Sequence, residues 1–379
     1  MKILNFILLF CLLGFISACN SNHHPDQPKN LNDGIETSTL AKVGIDEAII
    51  NEIIEGINSD FYPNRHSLLI YKDEKLVLEK YFTGQDYLWG QDIGIVEHSH
   101  TVLHDMRSVS KSIVSACIGI AISQGKIQSV DQKIFDFFED YKQYRINGKE
   151  ELTIKHFLTM TSGLEWNEEV PYDNPENSEI QMDESGDGIG FVLSRKLTAK
   201  PGSEWKYNGG TTEVLANIIK RTTGKNIYEF AKDNLFKPMG ISKSEWTNSS
   251  GTNTPAAASG LRLTSRDMLK FGILYYNEGK WGSKQIVPQE WVWSSLTPSI
   301  FLANAERGGY GYQFWVLNYT MQNQEMAIPT AVGNGDQRIY IDKKNDLIVV
   351  MTAGNYDKWD IKNNSSAILE NIYKSLGKK

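Results

Sequence analysis

The stretch "MRSVSKSIVSACIGIAISQGKI" at 106–127 constrains the fold more than any other part of the chain. Its aliphatic residues surround a helix on every side, and each one left in water would forgo about 1.5–3 kcal/mol of burial. Such a helix belongs at the centre of a core, so other elements must wrap it. Lys111, near its start, then sits where water is scarce. A buried ammonium is either neutralised by a carboxylate or kept for chemistry.

The wrapping elements are legible on both sides. Ile45, Ile49, Ile53 and Ile57 repeat every four positions and predict an amphipathic helix over Val43–Ile57. "HSLLIYKDEKLVLEKYF" reads as a hairpin turning at Lys72–Lys75, and "QRIYIDKKNDLIVVMTAG" pairs Ile339–Asp342 with Leu347–Thr352 before a final helix over Ala367–Leu376. Between them, Thr153 precedes "IKHFLTM", Thr211 or Thr212 precedes "EVLANIIKRTTG", and Thr264 with Asp267 forms a capping-box start. Strands at both ends with helices between imply an α/β (α+β) architecture. An antiparallel sheet assembled from both termini and flanked by helices would span about 42–115 and 255–379, with a mainly helical lobe at about 116–254.

The first eighteen residues, "MKILNFILLFCLLGFISA", have the charge and apolar run of a secretory signal and are too short to span a membrane comfortably. "ISAC" at 16–19 resembles the bacterial lipobox, which makes Cys19 the expected lipidation site and mature N-terminus. The expected location is the bacterial cell envelope, lipid-anchored, at the outer membrane facing the periplasm. Residues 19–41 are rich in Asn, Pro and Asp and read as a flexible tether, with His23 and His24 as solvated linker. After Cys11 and Cys19 are accounted for, Cys117 alone remains, so no intramolecular disulfide can form in the mature domain. A net charge of −7, from 39 basic and 46 acidic residues, opposes nucleic acid as a partner.

Ser108 and Lys111 are three residues apart, so both emerge on one face of a helix that starts at Ser108. Free N–H groups and the dipole at that helix end favour an anion beside the serine. A desolvated lysine with a lowered pKa would accept the serine's proton and make it a nucleophile. A Ser-His-Asp centre is a weaker reading, because there is no G-x-S-x-G elbow and His156 is the one histidine after Ser108.

Several phrases in a fixed order carry a family resemblance: "SVSKS" with "GKI", "LTMTSGLEW", "PGSEWKYNGG", "LFKPMGI", "SGLRLTSRDMLKFGILYYNEGKW", "GYGYQFW" and "VGNGDQRIYIDKKNDLIVVMTAGNY". Over about 66–355 the chain resembles serine hydrolases related to penicillin-binding proteins and class C β-lactamases, including family VIII esterases and 6-aminohexanoate-dimer hydrolases. The resemblance implies a β-lactamase/transpeptidase-like fold with Ser108 as acylated nucleophile, Lys111 as its helix partner and Tyr207 exchanging protons with the nucleophile and leaving group. Which of Lys111 and Tyr207 deprotonates Ser108 is left open. The resemblance further implies an oxyanion hole from the N–H groups of Ser108 and Gln337, with Asn334, Gly335, Asn208 and Trp166 bordering the substrate. Asn334 replaces the lysine of the relatives' Lys-Thr-Gly segment, which weakens recognition of a β-lactam or peptidyl carboxylate. Asp336 stands where glycine is usual, which would crowd the backbone against substrate.

The acidic stretch 167–192 reads as a solvated loop or lid, with Trp166 and Tyr172 facing substrate. Asp183, Ser185, Asp187 and Gly188 imitate the start of a calcium loop, but Ser194 stands where the bidentate glutamate belongs. The expectation is therefore a serine hydrolase that needs no metal or other cofactor and takes a small-molecule ester or amide, attached to a membrane through its lipid. The alternatives are a β-lactamase or D-alanyl carboxypeptidase, and a non-catalytic cell-wall binding protein on the same scaffold.

Overall fold

A computed structural model describes residues 27–303 and 308–377. The signal segment, Cys19, His23 and His24 lie outside the described residues. Eight strands form one antiparallel sheet: β1 (Arg65–Lys72), β2 (Lys75–Tyr81), β3 (Ile300–Phe301), β4 (Gly309–Tyr310), β5 (Trp315–Met321), β6 (Gln324–Gly333), β7 (Gln337–Asp342) and β8 (Leu347–Ala353), in spatial order β3-β4-β5-β6-β7-β8-β1-β2. The expected joining of the termini is the β1–β8 pairing, with Leu69 opposite Val350 and Ile70 opposite Val349. The β1–β2 turn is made by Asp73 and Glu74, both at positive φ, the twist that a two-residue hairpin turn requires.

Both faces of the sheet are covered, which is why β1 and β8 read as nearly continuous apolar runs. Helices α1 (Glu47–Asn58) and α5 (Ser365–Ser375) bury Ile50, Ile53, Ile368 and Ile372 against Leu68, Ile70, Val349 and Met351 on one face. On the other face lie α2 (Val109–Ser123) and α4 (Ser265–Tyr276). Gly272 of α4 lets the helix ride close to the sheet, since a Cβ there would lie 3.0 Å from Ile339 and Ile348. Every residue of α2 from Val109 to Ala121 is buried, as its composition demanded. The helical lobe beyond it includes the short helices Ile154–Leu158, Ser178–Glu184, Gly188–Ser194 and Ile227–Ala231 and the longer α3 (Gly209–Thr223). Among the described residues no helix is long and apolar enough to cross a membrane.

Local details depart from the sequence reading. Asn208, not Thr211 or Thr212, caps Gly209–Thr223, accepting from the Thr211 N–H; the two threonines lie inside the first turn. Thr153 and Thr264 do cap, and the capping-box partner of Thr153 is the imidazole of His156. The tether is shorter than its composition suggests. From Gln27 the chain packs on the domain: Ser38 N–H donates to Leu76 O, Leu76 N–H donates to Glu36 O, and Ile35 and Leu40 are buried. A charged contact fixes this segment, Asp33 to Arg266 at 2.7 Å, and Arg266 is held in turn by Glu79 of β2 at 2.5 Å. The acidic stretch 167–192 is likewise not a plain solvated loop, because its two short helices bury Ser178, Glu179 and Met182.

Asp336 does not crowd the backbone as expected. Its φ of 74° turns the side chain toward the body of the protein, where it meets Arg65 at 2.5 Å and Arg338 at 3.0 Å and accepts from the Ser365 N–H and Oγ–H. It thereby ties β7 to β1 and to the start of α5. No guanidinium nitrogen of Arg65 has an aligned hydrogen-bond partner, so this carboxylate is what compensates its buried charge. Burial alone would raise the Asp336 carboxyl, but Arg338, Arg65 and Ser365 outweigh that and hold it at about 2. A depressed carboxylate contributes stability above its unfolded pKa near 3.8 and loses it as pH falls toward about 2. Asp336→Asn leaves two guanidinium groups uncompensated. Urea denaturation at pH 7 should show a loss of about 3 kcal/mol, and the difference from wild type should shrink as the titration is repeated down to pH 3.

Candidate active site

The nucleophile candidate sits at a strained corner. Arg107 has a φ of 48°, a conformation that costs a non-glycine residue on the order of 1–2 kcal/mol. It is held there by stacking of its guanidinium over Trp89 and Tyr356, at 5.1 and 4.8 Å, and by Asp105 at 3.6 Å. Ser108 follows at the N-cap of α2, but its hydroxyl makes no capping bond. The hydroxyl instead accepts from Lys111 Nζ at 3.0 Å.

Lys111 is 1% exposed, and its ammonium also donates to Ala258 O at 3.1 Å. The half-buried Tyr207 stands beside Ser108 and Lys111, both of which draw its hydroxyl down against the effect of burial, and the ammonium lies 5.0 Å from its ring centroid. The structure thus brings Ser108, Lys111 and Tyr207 together. The tyrosine is positioned through the "LTMTSG" segment. Met160, at a φ of 56°, accepts from the Lys206 N–H through its carbonyl and from the Asn208 N–H through its sulfur, gripping the residues on either side of Tyr207. Trp315 stacks on the ring at 5.8 Å.

Beneath this trio lies a carboxylate pair that the sequence reading missed. Glu168 accepts from Gly209 N–H and Trp166 Nε1–H, each at 2.6 Å, and from the Tyr172 hydroxyl at 3.1 Å. Glu179 accepts from Ser259 at 3.1 Å, while its Oε2 is buried with no ordinary donor. A proton on Glu179, donated to Glu168, supplies the missing bond. Burial would push Glu168 up, but Lys111, that bond, Gly209 and Trp166 hold it below its usual range; burial and the charge of Glu168 hold Glu179 well above. The pair shares one proton and carries one negative charge. Gly209 leaves room for the pair, since a Cβ there would lie 2.7 Å from Glu179 Oε2.

This pair overturns the expectation of a lowered lysine pKa. Burial does pull the Lys111 ammonium down, but Tyr207, Glu179 and Glu168 outweigh it and raise the group. Tyr207 is raised by burial, partly offset by Lys111. The resting site is therefore an ammonium beside a phenol and a serine hydroxyl.

Trp166 is buried with its indole committed to Glu168, so it supports the site from behind instead of facing substrate. Tyr172 lines the cleft with Ser108, Arg107, Trp89, Asn334 and Asp357, around a cavity of about 320 Å³. Asn334 is already engaged: its amide donates to Asp357 at 2.7 Å, and its carbonyl accepts from the Asp357 N–H at 2.9 Å. Gly335 is set back from this cavity, at a φ of 85° that leaves room for Tyr356. Asn208 caps its helix, and its amide nitrogen is buried without a partner. Gln337 pairs with Gly333 at the β6–β7 end, and its side chain bonds across to Ala353. Gly333 brings that strand end against the nucleophile segment, for a Cβ there would lie 2.3 Å from Met106 O. His156, Cys117 and the calcium-like residue Asp187 stand elsewhere in structural roles: a cap, a fully buried filler and a cap for Gly188–Ser194.

The fold and this arrangement place the chain among known proteins. Residues 66–369 match the family described as Beta-lactamase, and the chain belongs to that family. The 6-aminohexanoate-dimer hydrolase of Paenarthrobacter ureafaciens is 24% identical over 265 residues, covering 65% of this chain and 65% of that enzyme, so the match spans just under two thirds of its length. Lovastatin esterase of Penicillium rubens is 28% identical over 103 residues, 25% of this chain and 24% of that one. Among solved structures, a putative 6-aminohexanoate-dimer hydrolase from Bacillus anthracis superposes with a TM-score of 0.66 at 23% identity, covering 84% of this chain and 80% of that one. A family VIII carboxylesterase gives 0.62 at 12% identity, covering 88% and 98%. These structures share the expected fold.

Glu213 supports Ala258, whose carbonyl receives the Lys111 ammonium, by accepting the Ala258 N–H at 2.8 Å. Burial pushes its carboxyl up to about 7. For a carboxyl raised on folding, stability is fully present below the unfolded pKa near 4.5 and is lost as pH rises through about 7. Glu213→Gln should flatten the fall in melting temperature that scanning calorimetry is expected to record for the wild type as pH rises from about 4.5 to about 7.

Proposed function

We propose that this chain is a serine hydrolase that transfers the acyl group of a small ester or amide to Ser108 and then to water. The hydrogen bond between Lys111 and Ser108, with Tyr207 packed against the same ammonium, carries the reading. Tyr207, in its phenolate form, accepts the proton of Ser108 as Oγ attacks the carbonyl carbon. Lys111 remains an ammonium and stabilises that phenolate. The N–H groups of Ser108 and Gln337 receive the oxyanion, a contribution of about 3 kcal/mol per donor in comparable sites. Tyr207 then returns the proton to the leaving oxygen or nitrogen, and water repeats the sequence on the acyl-enzyme.

The relatives' named activities, cleavage of an aminohexanoate dimer and of a statin ester, are amide and ester versions of this transfer. The cleft narrows the substrate further. Its rim bears Asp173, Asp183 and Asp357 against Arg107, and Asn334 is tied to Asp357 where the β-lactam-binding relatives carry a lysine. A neutral or amine-bearing substrate fits this rim better than the carboxylate of a β-lactam or a D-alanyl peptide. The signal-like segment and "ISAC" support delivery to the bacterial cell envelope with a lipid on Cys19.

Ser108→Ala and Tyr207→Phe should each lower kcat/KM for short-chain nitrophenyl esters by about 10,000-fold or more, with nitrocefin turned over far more slowly than the esters by the wild type. A fluorophosphonate probe that fails to label folded wild type at Ser108 would leave the binding-protein reading in place. Because Tyr207 is raised above 10.0 and Lys111 above 10.5, log kcat/KM should climb with a slope of about one through the neutral range and show no descending limb below about pH 10. A bell centred near neutrality would instead assign the base to a deprotonated lysine. For the anchor, Cys19→Ala in the full chain should move the protein from the membrane pellet to the soluble fraction.

A further inference from the structure

Three histidines and an aspartate that the proposed reaction does not use meet behind the cleft wall. His66 lies on β1, Asp86 in the hairpin Thr83–Leu88/Gln91–Glu97, His98 just after that hairpin, and His104 four residues before Ser108. All four are buried. The Asp86 carboxylate lies 3.9 Å from His66 Nδ1, 3.8 Å from His98 Nε2 and 3.7 Å from His104 Nε2. The ligand atoms of His66, Asp86 and His98 all fall within 4.8 Å of one another.

The hydrogen bonds around the cluster fix its tautomers. His104 Nδ1 lies 3.0 Å from the Asp105 carbonyl, which can only accept, so that nitrogen carries the proton and Nε2 carries a lone pair. His66 Nε2 lies 3.2 Å from Asn64 Oδ1, and the Asn64 amide cannot turn over because its Nδ2 donates to Gln85 O at 2.9 Å. His66 therefore donates through Nε2 and keeps its lone pair on Nδ1. Yet His66 Nδ1 and His104 Nε2 face each other at 2.8 Å. Two lone pairs at that distance repel unless a cation lies between them. Asp86 supplies the matching negative charge, 3.7–3.9 Å from a nitrogen of each ring. His98 Nε2, also buried, has no hydrogen-bond partner at all.

We propose that His66, Asp86, His98 and His104 form a binding site for a divalent transition metal, with zinc the best chemical match. Outward N–H groups donated to a backbone carbonyl and a side-chain amide are the usual outer support of metal-bound imidazoles. Zinc–ligand bonds of about 2.0–2.2 Å separate neighbouring ligand atoms by about 2.9 Å at right angles and about 3.4 Å in a tetrahedron. Asp86 stands 3.7–3.9 Å from a nitrogen of each ring and the facing nitrogens of His66 and His104 are 2.8 Å apart, while the His98 ring stacks on His66 at 4.0 Å, so binding requires the His98 ring to turn its Nε2 toward the ion. Three imidazoles and one carboxylate suit zinc, cobalt or nickel rather than calcium or magnesium. The metal would staple the hairpin, whose outer strand is largely exposed, to the sheet and to the segment that leads into Ser108.

The test uses the untagged full chain and reads metal directly, independently of any ester turnover. Purified protein should hold about one equivalent of metal per chain by elemental analysis, lose several degrees of melting temperature on stripping with a strong chelator, and regain them with zinc chloride. Cobalt chloride added to the stripped protein should give the intense visible bands of a low-coordinate site. Asp86→Asn and His98→Ala should weaken cobalt binding by about 100-fold or more, and Asn64→Gly, which removes the outer hydrogen bonds to His66 and Gln85 but no ligand, by about 10-fold. His23→Ala/His24→Ala should leave it unchanged. Folded, stripped wild type that takes up neither zinc nor cobalt at micromolar concentration would overturn the proposal, as would equal binding by His98→Ala. If the variants fail to fold, the wild-type uptake and its melting shift decide alone.

Discussion

The buried ammonium of Lys111 is the constraint around which the rest of the structure is arranged. A helix apolar on all sides places it out of water, where an isolated cation would shed its proton. Glu168 and Glu179 prevent that without adding two charges. Sharing one proton, they present a single negative charge, matched to the one positive charge beside it. The balance also decides the chemistry. In the proposed reaction the lysine accordingly acts by its charge, making the neighbouring phenolate attainable, and the proton traffic passes to Tyr207.

Holding three polar groups side by side takes rigid backbone, and the site obtains it at two non-glycine residues with positive φ. Arg107 sets the corner that presents Ser108, and Met160 sets the turn whose carbonyl and sulfur hold the chain on both sides of Tyr207. Each conformation is unfavourable alone and persists because surrounding contacts determine it: aromatic stacking for Arg107, paired N–H donors for Met160. The conspicuous phrase "LTMTSG" thus has a local cause. It is a clamp for the tyrosine, some forty-odd residues later in the chain, and not a substrate-binding motif.

What the sequence made legible was whatever depends on periodicity or close spacing. The all-apolar α2, the hairpins at both ends and the one-turn separation of Ser108 from Lys111 could be read from residue order, because helix and strand geometry translate spacing directly into position. Side chains that act through folding back were not legible. Asp336 looked like an obstruction because its positive φ, which swings the carboxylate toward Arg65, cannot be inferred from a residue name. Glu168 and Glu179 looked like surface in an acidic stretch, and Trp166 looked like a substrate wall, because the helix Ser178–Glu184 that buries them is short and polar. The clustering of His66, Asp86, His98 and His104 is set by a hairpin folding against β1, a contact that no local spacing encodes.

Charge neutrality below the nucleophile has a further effect on what can enter above it. With Lys111 already balanced by the carboxylate pair, the deep part of the site offers little net attraction to an anion. The rim is acidic and, among the described residues lining it, the one cation, Arg107, is stacked between Trp89 and Tyr356 and drawn toward Asp105. An incoming carboxylate would be desolvated without gaining a free partner, a cost on the order of several kcal/mol. A neutral ester or amide loses far less on entry and finds its polar partners where the carbonyl oxygen becomes an anion. Discrimination by charge therefore falls on the ground state of the substrate, while the backbone donors are reserved for the transition state, which is the division that favours turnover over tight binding.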